Sequence, residues 1–148
     1  MNKRSLIYDC SVIRLPKVND RAGNITFVEN NLHLPFSVVR IYYLYDIPAG
    51  AERGGHAHKE LHHFMIAASG SFDVVLDDGL NKRVVELNRP DYGLYIPPGI
   101  WGELFNFSSG AISLNLVSEK YNENDYIRYY DDFLVFKNRK KKNHGIKH

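Results

Sequence analysis

The chain breaks its apolar segments too often to build anything but short strands. Asn24–Glu29, Ser37–Asp46, His63–Ala68, Ser71–Leu76, Arg83–Leu87, Leu94–Ile96, Trp101–Phe107 and Ala111–Ser118 are rich in β-branched and aromatic residues. Between them stand Pro48-Ala49-Gly50, Ser69-Gly70, Asp77-Asp78-Gly79, Asn88-Arg89-Pro90, Pro97-Pro98-Gly99 and Ser108-Ser109-Gly110, each a turn signal. Short strands at this spacing predict an all-β sandwich or barrel. The one helical pattern comes late. Asn122 is set to cap it, Asp125 suits its first turn, and Tyr126, Ile127, Tyr130, Phe133 and Leu134 form an apolar stripe for the outside of a barrel or for a partner subunit.

With 148 residues, 44% hydrophobic and 24% charged, the chain suits one globular domain. No run approaches the ~20 apolar residues of a membrane-spanning helix. The N-terminus carries no signal-peptide pattern, so the cytoplasm is the expected location. The single cysteine, Cys10, excludes an internal disulfide and a multi-cysteine zinc site. The net charge of +2 conceals an asymmetry. From Lys137 onward every charged residue is basic, which leaves the rest of the chain acidic on balance. We therefore expect a domain over 1–136 and a basic, frayed tail over 137–148, with neither a nucleic-acid nor a membrane partner.

The densest chemistry lies in Arg53-Gly54-Gly55-His56-Ala57-His58-Lys59-Glu60-Leu61-His62-His63. On a strand, His56 and His58 share a face, roughly 6–7 Å apart along the backbone. Histidine is not a favoured strand former, so a same-face pair after two glycines calls for a reason beyond β-propensity. Gly54 and Gly55 permit a bulge or a close approach. The pair has three uses: hydrogen bonding in a half-polar interior, metal ligation, or metal-free acid–base catalysis, since imidazole titrates near neutral pH.

The spacing resembles the first signature of cupin barrels, with His56, His58 and His63 at its ligand positions and Gly70 closing it. The second signature is matched by Pro97, Gly99 and Asn106, but Gly102 stands where its histidine belongs. A three-histidine metal site (His56, His58, His63) is thus one alternative, and a metal-free site the other.

A longer ordered set of residues, from about Asp20 to Phe133, resembles the sugar 3,4-ketoisomerases that act on dTDP-4-oxo-6-deoxyglucose. It comprises Pro35-Phe36 with Arg40-Ile41-Tyr42-Tyr43; Arg53 through Lys59; Gly70-Ser71 with Leu76-Asp77-Asp78-Gly79; Gly93-Leu94-Tyr95-Ile96-Pro97; Trp101 with Asn106-Phe107-Ser108-Ser109; and Tyr121 with Asp125-Tyr126-Ile127-Arg128. The resemblance implies a small jelly-roll cupin barrel with one C-terminal helix and a homodimer with exchanged N-terminal strands. It implies no metal or other cofactor, and a dTDP-linked 4-oxo-6-deoxy sugar as partner. The 3-oxo product would be aminated to 3-amino-3,6-dideoxyhexoses for bacterial surface glycans.

Such a reaction moves the C3 proton to C4 through an enediol, and a same-face His56/His58 pair suits it. We assign His58 to the carbon-to-carbon transfer and His56 to the oxygen protons. Arg40 and Arg53 are expected on the diphosphate, because guanidinium forks match phosphate oxygens. Tyr42 shares Arg40's parity, and Trp101 and Glu103 are expected at the sugar. Two positions depart from the family pattern. Gly102 replaces a histidine or arginine, and in Asp20-Arg21-Ala22-Gly23 the arginine is shifted by one. Both were expected near the sugar, so the C4 configuration of the product stays open. A metal-dependent cupin and a non-catalytic sugar-nucleotide-binding cupin are the alternatives.

Overall fold

A computed structural model describes residues 2–139. Its strands are β1 (Ser11–Arg14), β2 (Lys17–Asp20), β3 (Gly23–Thr26), β4 (Arg40–Leu44), β5 (Arg53–His58), β6 (His63–Ser69), β7 (Phe72–Asp77), β8 (Lys82–Leu87), β9 (Tyr92–Ile96), β10 (Trp101–Phe105), β11 (Ile112–Val117) and β12 (Tyr126–Ile127). One α-helix, α1, covers Tyr130–Phe136. One sheet runs β1-β9-β6-β11-β4 and the other β12-β5-β10-β7-β8. From β4 onward the chain crosses between the sheets at every connection except β7–β8, the jelly-roll pattern expected from the sequence. The sheets stay separate, and side chains rather than ladder hydrogen bonds close the space between them.

That space is apolar over most of its length. Met65, Phe72, Val74, Leu76, Leu87, Leu94, Ile96 and Leu104 fill it from both sheets. The alternation that makes this possible is clearest in β4, where Arg40, Tyr42 and Leu44 turn inward while Ile41 and Tyr43 face out. Two further clusters seal the outer faces. Leu34 and Phe36, from the segment before β4, pack on Phe64, Ile66 and Leu116 of the first sheet. On the second sheet, Phe133 and Leu134 of α1 bury Ala57, Trp101 and Ile127.

The late helix is shorter than the apolar stripe predicts. Asn122 does cap, accepting the Asn124 N–H, but what it caps is a 3-10 turn over Glu123–Asp125. Tyr126 and Ile127 then pair as a strand with His58 and Ala57 at the edge of β5. An open sheet edge competes with the helix for this segment's backbone hydrogen bonds, and here the edge wins. Phe133 and Leu134 lie on a helix outside the barrel, as expected. Strands β1 and β2 were not foreseen, and both are mostly exposed four-residue segments.

Lys137, the first residue of the expected tail, is 1% exposed. Its Nζ donates to Ser5 O at 2.6 Å and Gly99 O at 2.8 Å, tying the end of α1 to the N-terminus and to the turn before β10. The chain therefore stays packed through Lys137. Asn138 and Arg139 follow, their backbone N–H groups donating to Val135 O and Leu134 O, and the rest of the expected tail, 140–148, lies outside the described residues. Among those described, no helix is long and apolar enough to cross a membrane.

Candidate active site

One end of the inter-sheet space opens into a cavity of about 590 Å³, within the range of small-ligand sites. Strand parity decides what lines it. His56 lies opposite Gly102 on β10, and His58 opposite Tyr126 on β12, so all four share the inner face. The glycine pair before the histidines does what its composition predicts. Gly54 has φ +92°, and a Cβ there would stand 2.9 Å from Gly102 O, where the register of β5 and β10 slips by a bulge. The first sheet contributes Arg40, Tyr42, His63 and Asn115, and Arg53 also lines the cavity.

The two imidazoles stand together, ring centroids 5.0 Å apart and nearly perpendicular. Tyr126 covers both, 5.1 Å from His56 and 4.4 Å from His58. Burial pushes the His56 imidazole below its ordinary value, with a Gly54 backbone hydrogen bond pulling the other way. Burial likewise pushes His58 down, reinforced by His56, His63, Arg40 and Arg128. The Asp125 carboxyl lies 3.1 Å from His58 Nδ1. Both rings are therefore neutral at pH 7 and able to accept a proton.

His63 is built differently. Its Nε2 lies 2.7 Å from Asn115 Oδ1. The Asn115 amide donates to Ser113 O and Ser113 Oγ, which turns its oxygen toward the ring. His63 therefore donates from Nε2 and has no lone pair there for a metal. Burial also holds its pKa down to about 4. Among the described residues, no three His, Cys, Asp or Glu side chains converge closely enough to hold a metal ion. The three-histidine arrangement of the metal alternative is not present in this geometry.

The basic and phenolic groups occupy the remaining walls. Arg40 Nε donates to Glu119 O at 3.2 Å, while its Nη2 is buried with no partner among the described residues. Its guanidinium lies 5.3 Å from the Tyr42 ring and 5.8 Å from that of Tyr121. Burial raises the Tyr42 phenol to about 12, so it stays a hydrogen-bond donor at neutral pH.

Trp101 and Glu103 do not line this cavity. Each is one residue from the inward-facing Gly102, so the pleat turns them outward. Trp101 is buried on the far face against Tyr130 and Phe133. Its expected contact with a sugar is replaced by a role in docking α1. Arg21 and Ala22 sit at the exposed turn of the β2–β3 hairpin, outside the cavity lining, whereas Gly102 lies in it with open space around a notional Cβ.

Among the lining residues with no role in the sequence reading are Asn115, Tyr121, Tyr126 and Arg128. The Arg128 fork is held by Glu123 at 2.6 and 2.7 Å, with its guanidinium 4.2 Å from the Tyr126 ring. Pairing of 126–127 with the edge of β5 is what sets Tyr126 beside the histidines.

The profile of the FdtA family, described as WxcM-like, C-terminal, matches residues 8–138. A relative from Aneurinibacillus thermoaerophilus, a TDP-4-oxo-6-deoxy-alpha-D-glucose-3,4-oxoisomerase, is 41% identical over 125 residues, 84% of this chain and 90% of that one. The crystal structure of a 3,4-ketoisomerase from Helicobacter canadensis superposes with a TM-score of 0.86 at 45% identity, covering 88% of this chain and 98% of that chain. QdtA, a sugar 3,4-ketoisomerase from Thermoanaerobacterium thermosaccharolyticum crystallised with TDP, gives 0.85 at 37% identity, covering 88% and 95%. A histidine variant of QdtA has been crystallised with TDP-4-keto-6-deoxyglucose. Profile, relative and structures agree, and the chain belongs to the FdtA family of sugar 3,4-ketoisomerases.

Proposed function

We propose that this protein is a metal-independent isomerase that converts dTDP-4-oxo-6-deoxyglucose to a dTDP-3-oxo-6-deoxyhexose. The observation that carries this reading is the pair of imidazoles, 5.0 Å apart, on one wall of a sugar-sized cavity. The ligand class follows from the relatives, one named for the TDP-4-oxo sugar and another crystallised with TDP.

The chemistry needs a base at C3, a proton for C4, and groups to handle the two oxygens. One imidazole takes the C3 proton and returns it at C4 after the enediolate has formed. The other moves the hydroxyl proton from the C3 oxygen to the C4 oxygen, so the product is an isomer and no redox partner is consumed. Tyr42 donates to the oxyanion while it exists, and such preorganised donors act on charge that develops only in the transition state. Arg40, with a buried unpartnered nitrogen, and Arg53, at the cavity wall, take the diphosphate. Exchange at C3 orders the two histidines. The His→Asn variant that still washes C3 deuterium out of labelled substrate lacks the oxygen-handling residue. The expected order is His58 on carbon and His56 on oxygen.

The working unit in this proposal is a homodimer with exchanged N-terminal strands, located in the cytoplasm. The β2–β3 hairpin pairs with neither large sheet and exposes Val18 and Ile25. The outer side of β4 exposes Ile41 and Tyr43, with Tyr45 just beyond. Apolar side chains left exposed in this way are ones a second copy would cover. Sedimentation at the mass of two chains is expected, and a monomer would remove this part.

Incubating the protein with dTDP-4-oxo-6-deoxyglucose and following the sugar carbons by NMR tests the reaction. A new C3 carbonyl, formed equally well with chelator present, is expected. An unchanged C4 ketone contradicts the proposal.

A further inference from the structure

The mechanism leaves one buried carboxylate beside the reacting histidines without a task. Asp125 is 8% exposed and ends the 3-10 turn before β12. Its Oδ1 accepts the Glu60 N–H at 2.7 Å, and its Oδ2 stands 3.1 Å from Nδ1 of His58. The backbone N–H groups of Glu60 and Leu61 hold the carboxylate, and its Oδ2 also meets the imidazole nitrogen. A carboxylate is an acceptor, so the proton between them belongs on Nδ1.

We propose that Asp125 is a positioning residue. It accepts the Nδ1–H of His58, fixes that tautomer, and leaves Nε2 as the free lone pair on a ring that lines the cavity. The proposal rests on the ketoisomerase reading for its kinetic consequence, but the tautomer itself does not depend on it.

The alternative is that Asp125 only docks its segment. The carboxylate shares that role with the backbone. The Lys59 N–H donates to Asp125 O at 3.0 Å, and β12 pairs with β5 at His58 and Ala57. An amide would serve a docking role at a lower desolvation cost than a buried carboxylate. What an amide cannot do is insist on one tautomer. It can offer its NH₂ to Nδ1 and so move the ring proton to Nε2, the position needed as a base.

The test combines kinetics with ¹⁵N NMR of the full chain labelled at histidine. In the wild-type chain, His58 is expected to be neutral with its proton on Nδ1. Asp125→Asn is expected to lower kcat by roughly 10²–10⁴-fold, the size of a general acid–base contribution, with KM within about threefold. Its His58 proton should move to Nε2. A wild-type His58 protonated on Nε2 overturns the proposal, as does a folded Asp125→Asn chain with kcat within about threefold of wild type. A loss confined to KM does the same. Should Asp125→Asn fail to fold, the wild-type tautomer still decides. Should the wild-type chain leave the 4-oxo sugar unchanged, the ketoisomerase reading falls while the NMR result stands on its own.

Discussion

His56 and His58 are two residues apart on β5, yet different neighbours hold them. His56 donates a ring N–H to the Gly54 backbone carbonyl, while His58 leans on Asp125. Burial lowers both, so each stays neutral below the ordinary imidazole value of 6.5. The sign follows directly. A base with a depressed pKa remains competent as pH falls through 6.5 and is lost only further into acid. The acid limb of kcat/KM, which reports the free enzyme, is therefore expected below the ordinary imidazole value of 6.5. A limb centred at 6.5 or higher would contradict the burial argument. This pair was legible in the sequence because period two is unambiguous inside a strand. The same rule, applied to β10, would have turned Trp101 and Glu103 away once Gly102 was seen to face in. Their family neighbourhood drew attention where their parity should have. Asp125 is visible in the sequence as a helix-start residue and as a member of the motif set, but not as a partner of His58, because His58 and Glu60 lie sixty-odd positions earlier.

At the level of elements, the edge of β5 matters most. It is flanked by β10 on one side and by only the two residues of β12 on the other. What holds that thin edge is α1, whose Phe133 is fully buried against the Trp101 and Ala57 face. Replacing it leaves a cavity behind the histidine strand. Phe133→Ala is expected to cost about 3–5 kcal/mol in urea unfolding. A loss under about 1 kcal/mol would mean that α1 is not what braces the strand. The strands from β6 to β11 were readable because Gly, Pro and Asp turns bound them closely. The 122–136 segment was not, since Tyr126, Ile127, Tyr130, Phe133 and Leu134 fit a helical stripe and only the tertiary edge of β5 selects against it. Strands β1 and β2 were hidden for the opposite reason. They are mostly exposed, so no strong apolar alternation announces them.

Across the molecule, one face-to-face sandwich carries an apolar floor and a polar, histidine-lined end. That arrangement ties stability to pH. Below 6.5 the unfolded chain binds protons on histidines that the folded chain keeps neutral. Stability is thus complete above 6.5 and is lost as pH falls toward the folded-state values. His63, buried and held to about 4, contributes on the order of 3 kcal/mol of that loss. Asp125, pushed up by burial, acts in the opposite sense, and only nearer its own titration. The urea midpoint is expected to fall clearly between pH 7 and pH 4.5. A flat midpoint would show that these histidines are not buried neutral. The fold class was legible from turn spacing alone, and the reaction from motif order. The way the two sheets divide the cavity between them was not, because it depends on crossovers that no local pattern encodes.

The central claim is that two imidazoles carry the protons of the isomerisation. It is met most directly by assaying His56→Asn and His58→Asn beside the wild-type chain on dTDP-4-oxo-6-deoxyglucose by NMR, with thermal melting as a check on folding. Both variants are expected to melt within a few degrees of wild type and to lose at least about 100-fold in turnover. Two folded variants that still form the 3-oxo sugar at near wild-type rates would contradict it.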